Sequence, residues 1–228
     1  MPALHVLRVF CDEDGAWGNP LGVFLDGAEV PEGRRQAVAT DLGFSETVFV
    51  DDAARGEMRI FTPGHELPFA GHPSVGTAWL LAQEGVPCEA LRPPAGEVPI
   101  RHDGELTHIA ARPEWSPPWE MIELGDPSEV ESFPGPPPEK LLTCYWAWVE
   151  RAAGVVRSRC YSLDDGIGED EATGSAAIML CAALDRALTI HQGRGSLLHA
   201  SPLGDGRAEV GGRVVSDRRS DYPLSRAS

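Results

Sequence analysis

The stretch Glu66-Leu67-Pro68-Phe69-Ala70-Gly71-His72-Pro73 decides how this chain folds, because Glu169-Asp170-Glu171-Ala172-Thr173-Gly174-Ser175-Ala176 repeats its plan. Each is an acidic loop that ends on glycine immediately before an apolar helical run. In the first, Pro73 sits where an opening helical turn tolerates proline, and Val75, Ala78, Trp79, Leu80 and Leu81 follow before Gly85 ends the run. In the second, the run passes through Ile178, Leu180, Cys181 and Leu184. Superposing Gly71 on Gly174 sets Glu66 on Glu169 and His72 on Ser175. The first turn of a helix carries unpaired N–H groups and the positive end of the macrodipole, and glycine before it lets a ligand approach the backbone. Two such helix starts converging on one cleft make a site for a carboxylate or a developing enolate. Two ordinary capped helices in separate cores fit the same spacing equally well.

Outward from these helices the chain alternates short strands with turns. Residues 5–11 alternate apolar and polar positions as a half-buried strand, and residues 22–25 form an apolar one. Pro31 and Glu32 open an outer helix that Gly43 stops. Residues 47–50 and 57–61 are β-branched and aromatic, hence strands. Three short strands follow near residues 89–92, 97–101 and 106–112. Residues 113–138, rich in proline and acid, are expected as a linker of irregular structure. Residues 144–149 and 155–162 are then strands, and after the second central helix come strands over 188–191, 196–200, 208–210 and 213–215. Residues 217–228 are polar and expected as a flexible tail. The division is thus an N-terminal half-domain at 1–112, the linker at 113–138, a C-terminal half-domain at 139–216, and the tail.

The chain has 228 residues and a formal net charge of −16. Lacking the concentrated Lys and Arg that phosphate binding needs, it fits neither nucleic acid nor an anionic membrane. No apolar run approaches the roughly 18–20 residues of a membrane helix. The alternating N-terminus reads as a strand, not a signal peptide. The five cysteines, Cys11, Cys88, Cys144, Cys160 and Cys181, contain no C-x-x-C pair. That spacing fits buried cytoplasmic thiols better than disulfides or zinc. No H-x-x-x-H spacing supports a metal hydrolase.

Five motifs occur in order: Gly18-Asn19-Pro20-Leu21-Gly22-Val23-Phe24, Ser45-Glu46-Thr47-Val48-Phe49-Val50, Phe61-Thr62-Pro63, Leu67-Pro68-Phe69-Ala70-Gly71-His72-Pro73, and Thr173-Gly174-Ser175-Ala176. Together they resemble the PhzF-like family of phenazine-biosynthesis isomerase relatives. The resemblance implies an α+β fold of the diaminopimelate epimerase type: two similar half-domains, each a strongly curved, mostly antiparallel sheet wrapped around a central helix. It also implies cofactor-independent acid–base chemistry on a small carboxylate-bearing substrate, with no metal. Carried over by position, Glu46 is the catalytic carboxylate, with His72 and Asp170 facing it. Gly71, Gly174, Ser175 and Asn19 are substrate-binding, and Gln36 stands near the cleft. The chemistry suits these residues, since a carboxyl that removes a proton from carbon can return it elsewhere. Phe44, Val48 and Phe49 beside Glu46 favour a raised pKa. Related racemases of this fold oppose two cysteines, whereas the residues entering the helices here are His72 and Ser175.

Two departures from the family pattern bear on these expectations. Between residues 149 and 174 nothing matches the outer helix of the first half. The second half is therefore expected to be shortened, with an apolar face covered by Trp146 and Trp148 or by a second copy of the chain in a homodimer. Glu171 stands where the family commonly has proline, which bears on the aim of Asp170. Besides an isomerase, a lyase using the same proton abstraction and a non-catalytic carboxylate-binding protein fit the residues.

Overall fold

The computed structural model describes residues 1–163 and 168–226. Its elements follow in chain order as β1 (Ala3–Cys11), β2 (Asn19–Phe24), α1 (Glu32–Leu42), β3 (Glu46–Asp52), β4 (Glu57–Phe61), β5 (Glu66–Leu67), α2 (Gly71–Gln83), β6 (Ala90–Leu91), β7 (Val98–Asp103) and β8 (Leu106–Ala111). There follow β9 (Glu120–Glu123), α3 (Pro127–Ser132), β10 (Leu142–Glu150), β11 (Val155–Ser162), β12 (Gly168–Asp170), α4 (Gly174–Leu184), β13 (Leu188–Gln192), β14 (Ser196–Pro202) and β15 (Ala208–Asp221).

The repeat extends through strand pairing. Strands β2 and β3 pair in parallel across α1, and β9 and β10 pair in parallel across α3. Antiparallel pairs β3–β4 and β4–β5 answer to β10–β11 and β11–β12. A parallel bridge from Glu57 to Arg92 answers to the parallel pair β11–β13. Even an ion pair recurs: Arg59 on β4 grips Glu66 on β5, and Arg159 on β11 grips Glu169 on β12. Each half of one continuous sheet curls around one helix. Both central helices are apolar on nearly every face, as helices enclosed by a sheet must be. Leu80 and Leu81 of α2, with Ile178 and Cys181 of α4, belong to one core spanning both halves.

This pairing corrects the expected outer-helix loss. The second half does have an outer helix; it is α3, six residues long, and it precedes β10. Residues 113–138 are therefore not irregular throughout, since they supply both β9 and α3. The helix escaped the sequence pattern because it is short and mostly polar, with Val130 its one buried side chain and Asp126 its cap. It packs on β10 and β11, so the open apolar face that motivated a second copy of the chain is covered. Trp146 is buried in the core, edge-on to Trp148 at 5.3 Å between ring centroids.

Residues 217–226, expected within a flexible tail, are built into the fold, and the rest of that tail, residues 227–228, lies outside the described residues. Residues 208–221 form one strand instead of two short ones and a tail. Gly211 and Gly212 keep it continuous at a crowded crossing, where a β-carbon on Gly211 would run into the His108 ring and one on Gly212 would lie 2.7 Å from Phe10. Side chains beyond residue 216 point to solvent while their backbone pairs with β1, from Leu7–Ser216 to Ala3–Asp221. Tyr222 is then buried edge-on to Phe24, in the cluster beneath α1. Among the described residues no helix is long and apolar enough to cross a membrane.

Candidate active site

The two central helices meet at their N-termini. A β-carbon on Gly71 would lie 2.7 Å from Gly174 Cα, and one on Gly174 would lie 2.9 Å from Gly71 Cα. Only glycine at both positions lets backbone press on backbone this closely. The helix starts thereby open on one cleft, of about 450 Å³ with its solvent-open part, between the half-domains.

The internal repeat explains how the cleft acquires its acids. Thr47 pairs with Phe61 as Thr143 pairs with Tyr161, so Glu46 and Leu142 are equivalent positions. Leu67 pairs with Ile60 as Asp170 pairs with Cys160, so Leu67 and Asp170 are equivalent too. All four line the cleft, with His72, Ser175, Phe69 and Trp119. Each half thus contributes one carboxyl and one leucine, on opposite walls.

His72 is fully enclosed, and burial pushes its imidazole down to about 4 although the charge of Asp170 pulls the other way. It is neutral at working pH and gives one ring N–H to the Pro20 carbonyl. Its Nε2 lies 3.4 Å from Glu46 Oε2. Two such atoms, each a lone-pair bearer when His72 is neutral and Glu46 ionised, attract a proton between them. Asp170 is raised to about 6, first by burial and then by the charge of Glu46, while His72, Thr173 and Asn19 oppose the rise. Ser175 Oγ lies 3.0 Å from Trp119 Nε1. Because an indole N–H can only donate, that oxygen accepts and the Ser175 proton remains for a ligand.

Glu46, His72, Asp170, Gly71, Gly174 and Ser175 therefore all line one cleft. Asn19 stands behind it. The Asn19 amide donates to Asp170 Oδ1 at 2.6 Å and to the Ala172 carbonyl at 2.9 Å, and Ser45 Oγ donates to Asn19 Oδ1 at 3.2 Å. Gln36 lies away from the cleft, donating from α1 to the Thr62 and Pro63 carbonyls. Glu171 replaces the missing proline as an anchor: its carboxylate accepts from the Arg194 backbone N–H, the Arg194 side chain and Ser196 Oγ. So tethered, the loop leaves Asp170 turned into the cleft. Three further residues had no role in the sequence analysis. Trp119 was hidden in a proline-rich loop, and Thr173 carried no assigned chemistry within its motif. Gln192 ends the inward face Leu188–Ile190–Gln192 of β13, and an amide closing an apolar face was the available signal.

The family model for phenazine biosynthesis-like proteins matches residues 7–132. The chain belongs to the PhzF-like family. A relative within it, the trans-2,3-dihydro-3-hydroxyanthranilate isomerase of Pseudomonas aeruginosa, is 32% identical over 222 residues, covering 78% of each chain. An uncharacterized isomerase of Pasteurella multocida is 39% identical over 109 residues, 45% of this chain and 37% of the relative. An uncharacterized isomerase of Mesorhizobium japonicum is 38% identical, and the match takes in 39% of its length. The chain thus spans well under half of the latter two relatives. Among solved structures, a putative PhzC/PhzF protein from Clostridium difficile superposes with a TM-score of 0.81 at 18% identity, covering 98% of this chain and all of the other. A hydroxyproline epimerase from Agrobacterium vitis, with bound trans-4-OH-L-proline, superposes at 0.60 with 13% identity, covering 100% of this chain and 96% of its own. The fold of this PhzF-like chain is therefore that of two similar halves, shared with the epimerases.

Proposed function

We propose that this protein is a cofactor-independent isomerase that moves a proton on a small carboxylate-bearing substrate. The observation that carries the proposal is the convergence of Glu46, His72 and Asp170 on a cleft into which two helix N-termini open. The substrate carboxylate lies against the first N–H groups of α2 and α4 and the Ser175 hydroxyl, which supply positive potential without a formal charge. Glu46 takes the proton from carbon, and the same helix ends stabilise the enolate-like charge that develops. Neutral His72, 3.4 Å from Glu46, shares that proton until Glu46 returns it at another carbon or on the other face. Across the cleft, the charge of Glu46 helps to raise Asp170. Isomerase names among the relatives support the reaction class, and their substrates remain theirs.

Solvent-deuterium exchange over a panel of small cyclic amino and hydroxy acids tests the reading. The wild-type protein should place deuterium at a carbon near the carboxylate of at least one compound. Glu46→Gln should lower that exchange by about 10²-fold or more while still binding the compound. Exchange that survives the substitution would remove Glu46 from the chemistry, and binding with no exchange in the wild type would favour a carboxylate-binding protein.

A further inference from the structure

Asp170 is held by a chain of hydrogen bonds that starts from two backbone groups. The Thr173 N–H can only donate, and its partner at 3.1 Å is Gln192 Oε1. The Asp170 carbonyl can only accept, and its partner at 3.0 Å is Gln192 Nε2. These two contacts settle which end of the Gln192 amide is oxygen. The second Nε2 proton is then directed at Thr173 Oγ1, 2.8 Å away. Thr173 then gives its single hydroxyl proton to ionised Asp170 Oδ2 at 2.6 Å, with the Cys160 thiol beside the same hydroxyl. The other carboxyl oxygen accepts from Asn19, whose amide is fixed in the same way by the Ala172 carbonyl. Gln192 is fully buried, and while its backbone pairs within the ladder of β13, none of its side-chain bonds serves that ladder.

We propose that Gln192 is a positioning residue which, through Thr173, holds Asp170 as a hydrogen-bond acceptor in the cleft. The inference rests on the proton-transfer reading for its purpose, though not for its geometry. Without the chain, burial and the charge of Glu46 would keep Asp170 protonated across working pH, and the hydroxyl of Thr173 would be free to turn away. The groups that face Asp170 are Glu46 from β3, His72 from α2 and the Cys160 thiol from β11. None of them is a permanent cation, so His72 and the neutral donors Thr173 and Asn19 are what hold the carboxylate against burial and Glu46.

The test needs no substrate. The carbon-13 signal of the Asp170 carboxyl is followed against pH in the unliganded protein. Thr173→Val keeps the shape and removes the donor, so the Asp170 midpoint should rise by about one to two pH units. Gln192→Glu keeps the size but replaces the directing N–H with an acceptor, so Thr173 turns towards residue 192 and the midpoint should rise as well. Thr173→Ser should titrate as the wild type does. A midpoint unmoved in Thr173→Val overturns the proposal. A rise in Thr173→Val without one in Gln192→Glu overturns the part assigned to Gln192, and a rise in Gln192→Glu alone marks a bare charge effect and overturns the chain. Should these variants not fold, the wild type answers: the chain requires a slowly exchanging Thr173 hydroxyl proton coupled to the Asp170 carboxyl, and its absence overturns the proposal. Failure here leaves deuterium exchange and its loss in Glu46→Gln untouched, so the two ideas fall separately.

Discussion

At the scale of single residues, the cleft holds two groups displaced in opposite senses. Asp170 is raised to about 6 by burial and by Glu46, and His72 is lowered to about 4 by burial. Between about pH 4 and 6 the folded protein keeps a proton on Asp170 that the unfolded chain has released. That contribution makes stability fall as pH rises through the window. Over nearly the same window the unfolded chain holds a proton on His72 that the folded protein lacks, which makes stability rise with pH. In the wild type the two slopes offset. In Asp170→Asn only the His72 slope survives, so stability should climb from pH 4 to 6.5 by on the order of 2 kcal/mol relative to the wild type. His72→Gln should show the opposite slope. Urea unfolding at several pH values reads both, and parallel curves for all three proteins would mean that the groups titrate normally.

At the scale of elements, the meeting of α2 and α4 is the most sterically constrained feature of the fold. Gly71→Ala would drive a methyl group into the backbone of Gly174, and no side chain can turn aside to admit it. A loss of about 1–3 kcal/mol or more is expected, together with a splayed cleft. Gly33, in the first turn of α1, has nothing near its would-be β-carbon. Gly33→Ala should therefore stabilise the protein by about 0.5–1 kcal/mol. Thermal melts of the pair distinguish a steric role for Gly71 from the general cost of glycine in helices. Both central helices and the alignment of Gly71 on Gly174 were legible in the sequence, because apolar runs behind a glycine leave a strong local pattern. So was α1, with its proline at the start and Gly43 at its end, where φ is 67°. Helix α3 was not, being too short for periodicity and lying among prolines. Glu46, His72 and Asp170 were legible through motifs, whereas the Gln192–Thr173 chain was not, since Gln192 reaches the Asp170–Thr173 loop only in the folded sheet.

At the scale of the whole molecule, the repeat suggests two separable halves and the sheet denies it. Strand β15 begins between β8 and β14, with Val210 paired to both Ile109 and Ala200, and ends against β1, with Leu4 paired to Ser220. The last strand of the chain thus stands between the first and eighth, and both of those belong to the N-terminal half. Sequence could not show this, because a strand's partners are set by topology and the exposed end of β15 carries only polar side chains. Removing residues 113–228 would leave β1 and β8 with open edges where β15 now pairs with both, and would strip from the core the residues of β15 and α4 that complete it. Such a fragment loses apolar burial and ladder hydrogen bonds together, while its chain entropy per residue stays the same. Residues 1–112 expressed alone should therefore lack a cooperative thermal transition and dispersed amide resonances, and should regain both when residues 113–228 are supplied as a second fragment. The intact chain should unfold in one step, with calorimetric and van't Hoff enthalpies in agreement. A well-folded isolated N-terminal fragment would mean that β15 merely decorates an independent half, and the cleft would then lie between two domains free to move apart.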